Sequence, residues 1–73
     1  GRAHPPSLAW FHAASAGELE ALWPVIQKWK SDPGRDAVVS ILSPSAEKGL
    51  ARLDAEMRSL GQPLRGVAFS PLE

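Results

Sequence analysis

The stretch Trp10-Phe11-His12-Ala13-Ala14-Ser15-Ala16-Gly17-Glu18-Leu19-Glu20 joins a short apolar run to a helical pattern through a turn of small residues. The run from Leu8 to His12 has the length of a strand and is predicted to be the first one. Ser15 and Glu18 follow it with the S-x-x-E spacing of a capping box, which marks a helix start. In α/β folds a turn of this kind opens into the crevice where ligands bind. We therefore expect this corner to carry the function.

The helix after this corner has a single apolar face that can pack on a sheet. It is expected to begin at about Ala16. Proline has no amide hydrogen, so Pro24 cannot bond the carbonyl of Glu20, and we expect a kink or a break there. The apolar residues that recur at helical spacing are Leu19, Leu22, Trp23, Ile26 and Trp29.

The second half of the chain repeats the strand-helix-strand pattern. Ala37 to Leu42 is nearly all apolar, as in parallel strands that are buried on both faces. Ser43-Pro44 matches a helix start with proline at the first helical position, and Gly61 supplies the stop. Leu64 to Phe69 is predicted to be a third strand. The apolar stripe of the second helix comprises Ala46, Leu50, Leu53, Met57 and Leu60.

The predicted order is β-α-β-α-β, so the fold class is α/β with three parallel strands, half of a Rossmann-like doubly wound unit. Such a half leaves uncovered sheet edges, and we expect dimerisation or strand exchange of the isolated chain. The chain begins at Gly1 without methionine and stops directly after a strand-like run. We expect it to be a piece of a larger protein.

Composition limits the function classes. The chain has 73 residues and no cysteine, which argues against a disulfide scaffold or a thiolate metal site. Eight basic and eight acidic residues give no net charge, which argues against a nucleic-acid binder held by bulk electrostatics. No apolar run has the roughly 20 residues that a membrane-spanning helix needs, so we expect the chain as given to be soluble.

Three motifs resemble those of the 3-deoxy-D-manno-octulosonic acid (Kdo) transferases. The stretch from Trp10 to Glu18 is similar to their W-x-H-a-x-S-x-G-E signature, and the run from Ser40 to Ser45 resembles their T-x-x-T-P-T-G turn. The run from Phe69 to Glu73 resembles their aromatic-x-P-x-D motif. Serine replaces threonine at three positions, alanine replaces glycine, and glutamate replaces aspartate. These departures are Ser40, Ser43, Ser45, Ala46 and Glu73.

The resemblance implies an inverting glycosyltransferase of the two-domain GT-B type. The chain from residue 1 to 73 would be part of its N-terminal, acceptor-binding Rossmann-like domain, and a C-terminal domain absent from this chain would bind CMP-Kdo. The enzyme would move Kdo to a lipid A precursor in lipopolysaccharide synthesis, at the cytoplasmic face of the bacterial inner membrane. An N-terminal membrane anchor would precede Gly1. We expect this chain alone to be inactive.

Glu18 has two interpretations. From spacing alone it caps its helix, whereas the resemblance makes it the general base that takes a proton from the attacking hydroxyl. Ser15 is a helix cap or a contact for an acceptor phosphate, and Gly17 would allow close approach.

Other residues are weaker candidates for the substrate site. His12 has either a structural or a ligand role. Ser43 and Ser45 would face the same crevice, and a basic cluster near Arg65 could meet the acceptor's phosphates.

Two expectations concern groups outside this site. The three tryptophans are expected to be core or domain-packing residues. The scattered histidines and carboxylates do not form a metal set, so neither a metal nor a cofactor is expected.

The alternative function is a non-catalytic α/β module that binds an anionic ligand at its helix N-termini.

Overall fold

The computed structural model describes residues 7–69, so the end of the Phe69–Glu73 motif lies outside the described residues. Three parallel strands form one sheet in the order β1-β2-β3, and a helix follows each of the first two strands. The elements are β1 (Ser7–Ala13), α1 (Ala16–Lys30), β2 (Arg35–Ile41), a 3-10 turn (Pro44–Ala46), α2 (Glu47–Ser59) and β3 (Gly66–Phe69). The predicted α/β class and the Rossmann-like half-domain are confirmed.

The strand register places two groups of residues side by side. His12 lies opposite Ser40, which in turn lies opposite Ala68. One pleat earlier, Trp10 lies opposite Val38. Because side chains alternate between the faces of a sheet, all five of these residues share one face.

Both helices pack on the opposite face, where they form a single core with the sheet. In β2, the side chains of Ala37, Val39 and Ile41 are fully buried there, at 0% exposure. The face of β2 that carries Ser40 has no helix over it among residues 7–69. The helices contribute Leu19, Ile26, Leu50, Leu53 and Met57 to the core.

The uncovered face corrects in part the prediction that β2 is buried on both sides, because Ser40 is buried there, at 2% exposure, but Val38 is only partly buried. Leu8 is 60% exposed and Trp10 is 73% exposed on this face. Trp10 is therefore not a core residue within the described part of the chain, whereas Trp23 and Trp29 pack against the core as expected. Among residues 7–69, a single layer of helices covers β2, although its sequence is typical of a strand between two layers.

The expected break at Pro24 is wrong. Helix α1 is one element with Pro24 inside it. Pro24 is exposed, so the carbonyl that lacks an amide partner lies on the solvent side, where water can bond it. The packed side of the helix, with Leu19 and Ile26, keeps its contacts with the core.

The second crossover differs in its details from the prediction. Ser43-Pro44 starts a 3-10 turn, and α2 itself begins at Glu47. Leu60 was expected on the buried stripe, but it follows the last helical turn and is 56% exposed. Gly61 has φ of 74°, which fits the predicted stop because glycine adopts this left-handed region without strain. Within residues 7–69, no helix has the length and apolar character needed to cross a membrane.

Candidate functional site

Glu18 and Ser15 form the capping box that their spacing predicts. Ser15 has extended backbone angles, and its hydroxyl accepts a hydrogen bond from the amide of Glu18 at 3.2 Å. In return, the Glu18 carboxylate accepts one from the amide of Ala14 at 2.7 Å through Oε1. The carboxylate is thereby held over the turn between β1 and α1.

This bond leaves part of the carboxylate available. A carboxylate has two oxygens, and Oε2 of Glu18 makes no hydrogen bond with the described residues. The residue is exposed, so a substrate hydroxyl can reach it. Capping and proton acceptance are therefore compatible in the same side chain.

The second turn lies next to the first. The amide of Leu42 donates to the carbonyl of Ala13 at 3.0 Å, which joins the carboxyl ends of β1 and β2. Ser43 accepts a bond from the amide of Ser45 at 3.2 Å, and their hydroxyl oxygens are 2.8 Å apart. The structure thus brings both predicted turns to one edge of the sheet, as expected for parallel strands.

His12 lies on the uncovered face just before this edge. Its Nδ1 is 2.8 Å from the hydroxyl oxygen of Ser40, which also accepts a bond from the indole nitrogen of Trp10 at 2.8 Å. Ser40 was not among the predicted site residues. Strand alternation places Ser40 on one face of its own strand, but the parallel register that sets it beside His12 cannot be read from one sequence.

Gly17 does not have a close neighbour that requires glycine. A Cβ added there would lie 4.0 Å from the Ser15 hydroxyl oxygen, and the residue is exposed. Among the described residues nothing forbids a side chain at this position. A requirement for glycine would have to come from a ligand.

The basic cluster near Arg65 lies at the opposite end of the sheet. Arg65 and Lys30 approach the two carboxylate oxygens of Asp36 at 3.5 Å and 3.3 Å, beside the amino ends of β2 and β3. Glu18 lies beyond the carboxyl end of β1. The structure therefore does not bring Arg65 together with the predicted site.

In this network, Asp36 is the residue whose pKa is clearly shifted. Burial raises the pKa of Asp36, but Lys30, the amide of Ala37 and Arg65 stabilise the charged form and lower it. The net pKa lies below its ordinary value of 3.8.

Within residues 7–69, no three histidine or acidic side chains lie close enough together to hold a metal ion.

Comparison with known proteins gives a match to a family model. A family model described as 3-deoxy-D-manno-octulosonic-acid transferase (kdotransferase) covers residues 1–71. No curated protein and no solved structure matches the chain.

Proposed function

We propose a function from one premise: this chain belongs to the 3-deoxy-D-manno-octulosonic-acid (Kdo) transferase family. It is therefore part of a glycosyltransferase of lipopolysaccharide synthesis, an enzyme class that uses a sugar donor and a lipid acceptor. In our proposal the donor is CMP-Kdo and the acceptor is a lipid A precursor. The described residues form the acceptor-binding wall of the crevice.

The position of the Glu18 carboxylate supports this proposal most directly. It lies at the carboxyl edge of a parallel sheet, where α/β folds bind ligands, with one oxygen bonded to Ala14 and the other without a described partner. In the proposed step, an acceptor hydroxyl oxygen bonds to the anomeric carbon of Kdo. The bond from that carbon to CMP breaks, CMP leaves with the electron pair, and Oε2 of Glu18 takes the hydroxyl proton. Attack opposite to the leaving group inverts the anomeric centre.

The neighbouring residues would bind the acceptor. Ser43 and Ser45 offer hydroxyls at the adjacent turn, and His12 offers a ring nitrogen on the same edge. Ser15 and Gly17 form the turn itself, where the acceptor can approach exposed backbone.

The donor site belongs to a second half in this proposal. A complete enzyme would join this half to a CMP-Kdo-binding domain in one polypeptide and work at the cytoplasmic face of the inner membrane, with its anchor before Gly1. The 73-residue chain would then not transfer Kdo alone, because only one wall of the crevice is present.

The alternative, an anion-binding module without catalysis, has less support. Both helices carry a carboxylate in their first turn, Glu18 in α1 and Glu47 in α2. These charges occupy the positive ends of the helix dipoles and repel an anionic ligand. The alternative also leaves the second oxygen of Glu18 without a role.

The test is Glu18→Gln in the two-domain polypeptide. Glutamine can still accept the bond from Ala14, so the turn is kept, but it is too weak a base to take the proton. We expect Kdo transfer to fall by about 10²–10⁴-fold with little change in thermal stability. Glu20→Gln is the matched control, because Glu20 is an exposed glutamate two residues further along the same helix.

Near-normal transfer by the Glu18→Gln enzyme would contradict the base assignment. An equal loss in the Glu20→Gln enzyme would also contradict it, because the effect would then reflect charge near the helix start rather than proton transfer.

A further inference from the structure

The uncovered face of the sheet contains one buried hydroxyl. Ser40 is 2% exposed although no helix among residues 7–69 lies over its face. Its cover comes from β1, where His12 lies directly opposite and Trp10 lies one pleat earlier. Both aromatic rings bond to the same oxygen, each at 2.8 Å.

Counting protons in this group fixes the direction of each bond. An indole nitrogen can only donate, so Ser40 accepts from Trp10. The hydroxyl has one hydrogen of its own, and among residues 7–69 its only acceptor is Nδ1 of His12. If Nδ1 carried a hydrogen instead, the Ser40 hydroxyl hydrogen would be buried without a partner, which costs free energy. The described residues contain no buried side-chain polar atom without a partner.

We propose that Ser40 is a positioning residue that holds the neutral His12 ring in the tautomer with its hydrogen on Nε2. The two nitrogens of an imidazole point away from each other, so a ring whose Nδ1 is bonded to β2 presents its Nε2–H group on the other side. His12 is exposed and lies at the carboxyl end of β1. The ring therefore offers one fixed donor to a ligand at that edge.

The ligand group that fits this donor is an oxygen acceptor, either a phosphate or a hydroxyl oxygen of the acceptor substrate. This ligand role rests on the proposed function, whereas the tautomer does not. Trp10 contributes by occupying one lone pair of Ser40, which directs the hydroxyl hydrogen toward His12.

The first experiment measures the tautomer in the 73-residue chain by nitrogen NMR of the His12 ring at a pH where it is neutral. We expect a pyrrole-type signal for Nε2 and a pyridine-type signal for Nδ1. Ser40→Ala should lose this single tautomer and give a mixture, whereas Ser40→Thr, which keeps the hydroxyl, should retain it. Ser59→Ala is the control, since it removes a serine hydroxyl whose one bond among the described residues goes to the Glu56 carbonyl.

The second experiment measures Kdo transfer by the two-domain polypeptide. Loss of one oriented donor in Ser40→Ala should raise the KM for the acceptor by roughly three- to tenfold, with a smaller change in kcat, and Ser40→Thr should restore it. Glu18→Gln, in contrast, should lower kcat, so failure of the base assignment and failure of the Ser40 role are separate results.

Two results would overturn the proposal for Ser40. The first is a native His12 ring with its hydrogen mainly on Nδ1, a measurement that remains decisive even if Ser40→Ala does not fold. The second is an acceptor KM that is the same in the Ser40→Ala and native enzymes, which would remove the ligand role of His12.

Discussion

Glu18 is held in place by its own helix. The amide of Ala14 bonds one carboxylate oxygen, and the Ser15 hydroxyl accepts from the Glu18 amide. A side chain fixed in this way loses little rotamer freedom when a substrate arrives, which is the advantage of preorganised catalytic groups. The cap and the proposed base are therefore two uses of one geometry.

Asp36 makes the stability of the chain depend on pH. Its pKa is lowered in the folded state, so the ionised carboxylate stabilises the fold above its unfolded pKa, and this contribution is lost as the pH falls through the folded value. Asp36→Asn removes the contribution at every pH. We expect the variant to unfold at lower urea concentration than the native chain at pH 7, with the gap closing below about pH 4.

Urea midpoints measured across the acidic range check this prediction. Asp54→Asn controls for the loss of one carboxylate, because Asp54 has a similar exposure but pairs with only one described cation, Arg58, in an i,i+4 contact. A gap between the Asp36→Asn and native midpoints that stays constant from neutral to acid pH would contradict the linkage to Asp36.

Whether a side-chain contact could be predicted depended on how close its two residues are in the sequence. Ser15 and Glu18 are three positions apart, so their bond could be predicted from spacing alone. Ser40 and His12 are 28 positions apart, and their contact depends on the register between β1 and β2. The position of Arg65 could have been predicted, because Arg65 lies at the start of the predicted third strand, and the amino ends of parallel strands lie at the edge opposite to Glu18.

Helix α1 contains proline at an exposed interior position without being broken there. The tertiary contacts of Leu19 and Ile26 on its packed side outweigh the local preference at Pro24, which explains why the predicted break does not occur. Helix α2 crosses α1 closely at Gly49, where an added Cβ would lie 3.1 Å from Cδ2 of Leu19. The apolar stripes were predictable from periodicity, whereas this close contact between helices was not.

Replacing Pro24 should stabilise the chain. In Pro24→Ala the new amide can donate to the carbonyl of Glu20 and the proline ring no longer crowds that turn. We expect a gain of about 1–3 kcal/mol in the free energy of unfolding, measured by urea denaturation.

Val25→Ala is the control for Pro24→Ala, because Val25 is the next residue of α1, is 51% exposed, and its replacement leaves the backbone hydrogen bonds of the helix unchanged. The expected gain in the control is a few tenths of a kcal/mol. A Pro24→Ala chain no more stable than the Val25→Ala chain would show that the missing hydrogen bond does not matter here.

At the scale of the whole molecule, the sheet has one covered face and one uncovered face in residues 7–69. Parallel sheets normally carry helices on both faces. The class, the order of strands and helices along the chain, and the single core could be predicted from alternating periodicities. A single layer of helices could not, because the apolar residues of β2 are the same in either case.

The uncovered face should make the isolated chain self-associate. Leu8 and Trp10 expose large apolar surfaces on it, at 60% and 73%. We expect the apparent mass in analytical ultracentrifugation to rise with protein concentration, and Leu8→Lys to shift the chain toward the monomer.

Val25→Lys is the control for Leu8→Lys, because it also replaces an exposed apolar residue by lysine but lies on α1. The prediction that the uncovered face drives self-association is contradicted if both variants shift the equilibrium equally, or if the native chain stays monomeric at all concentrations.

The order of strands in space follows their order along the chain, with β2 between β1 and β3. During synthesis on a ribosome, β1 and α1 emerge before β2, which then finds its first neighbour already present. β3 arrives last and adds to an edge that is already formed. Each strand after the first pairs with the strand encoded just before it, so this half-domain can assemble in the direction of translation.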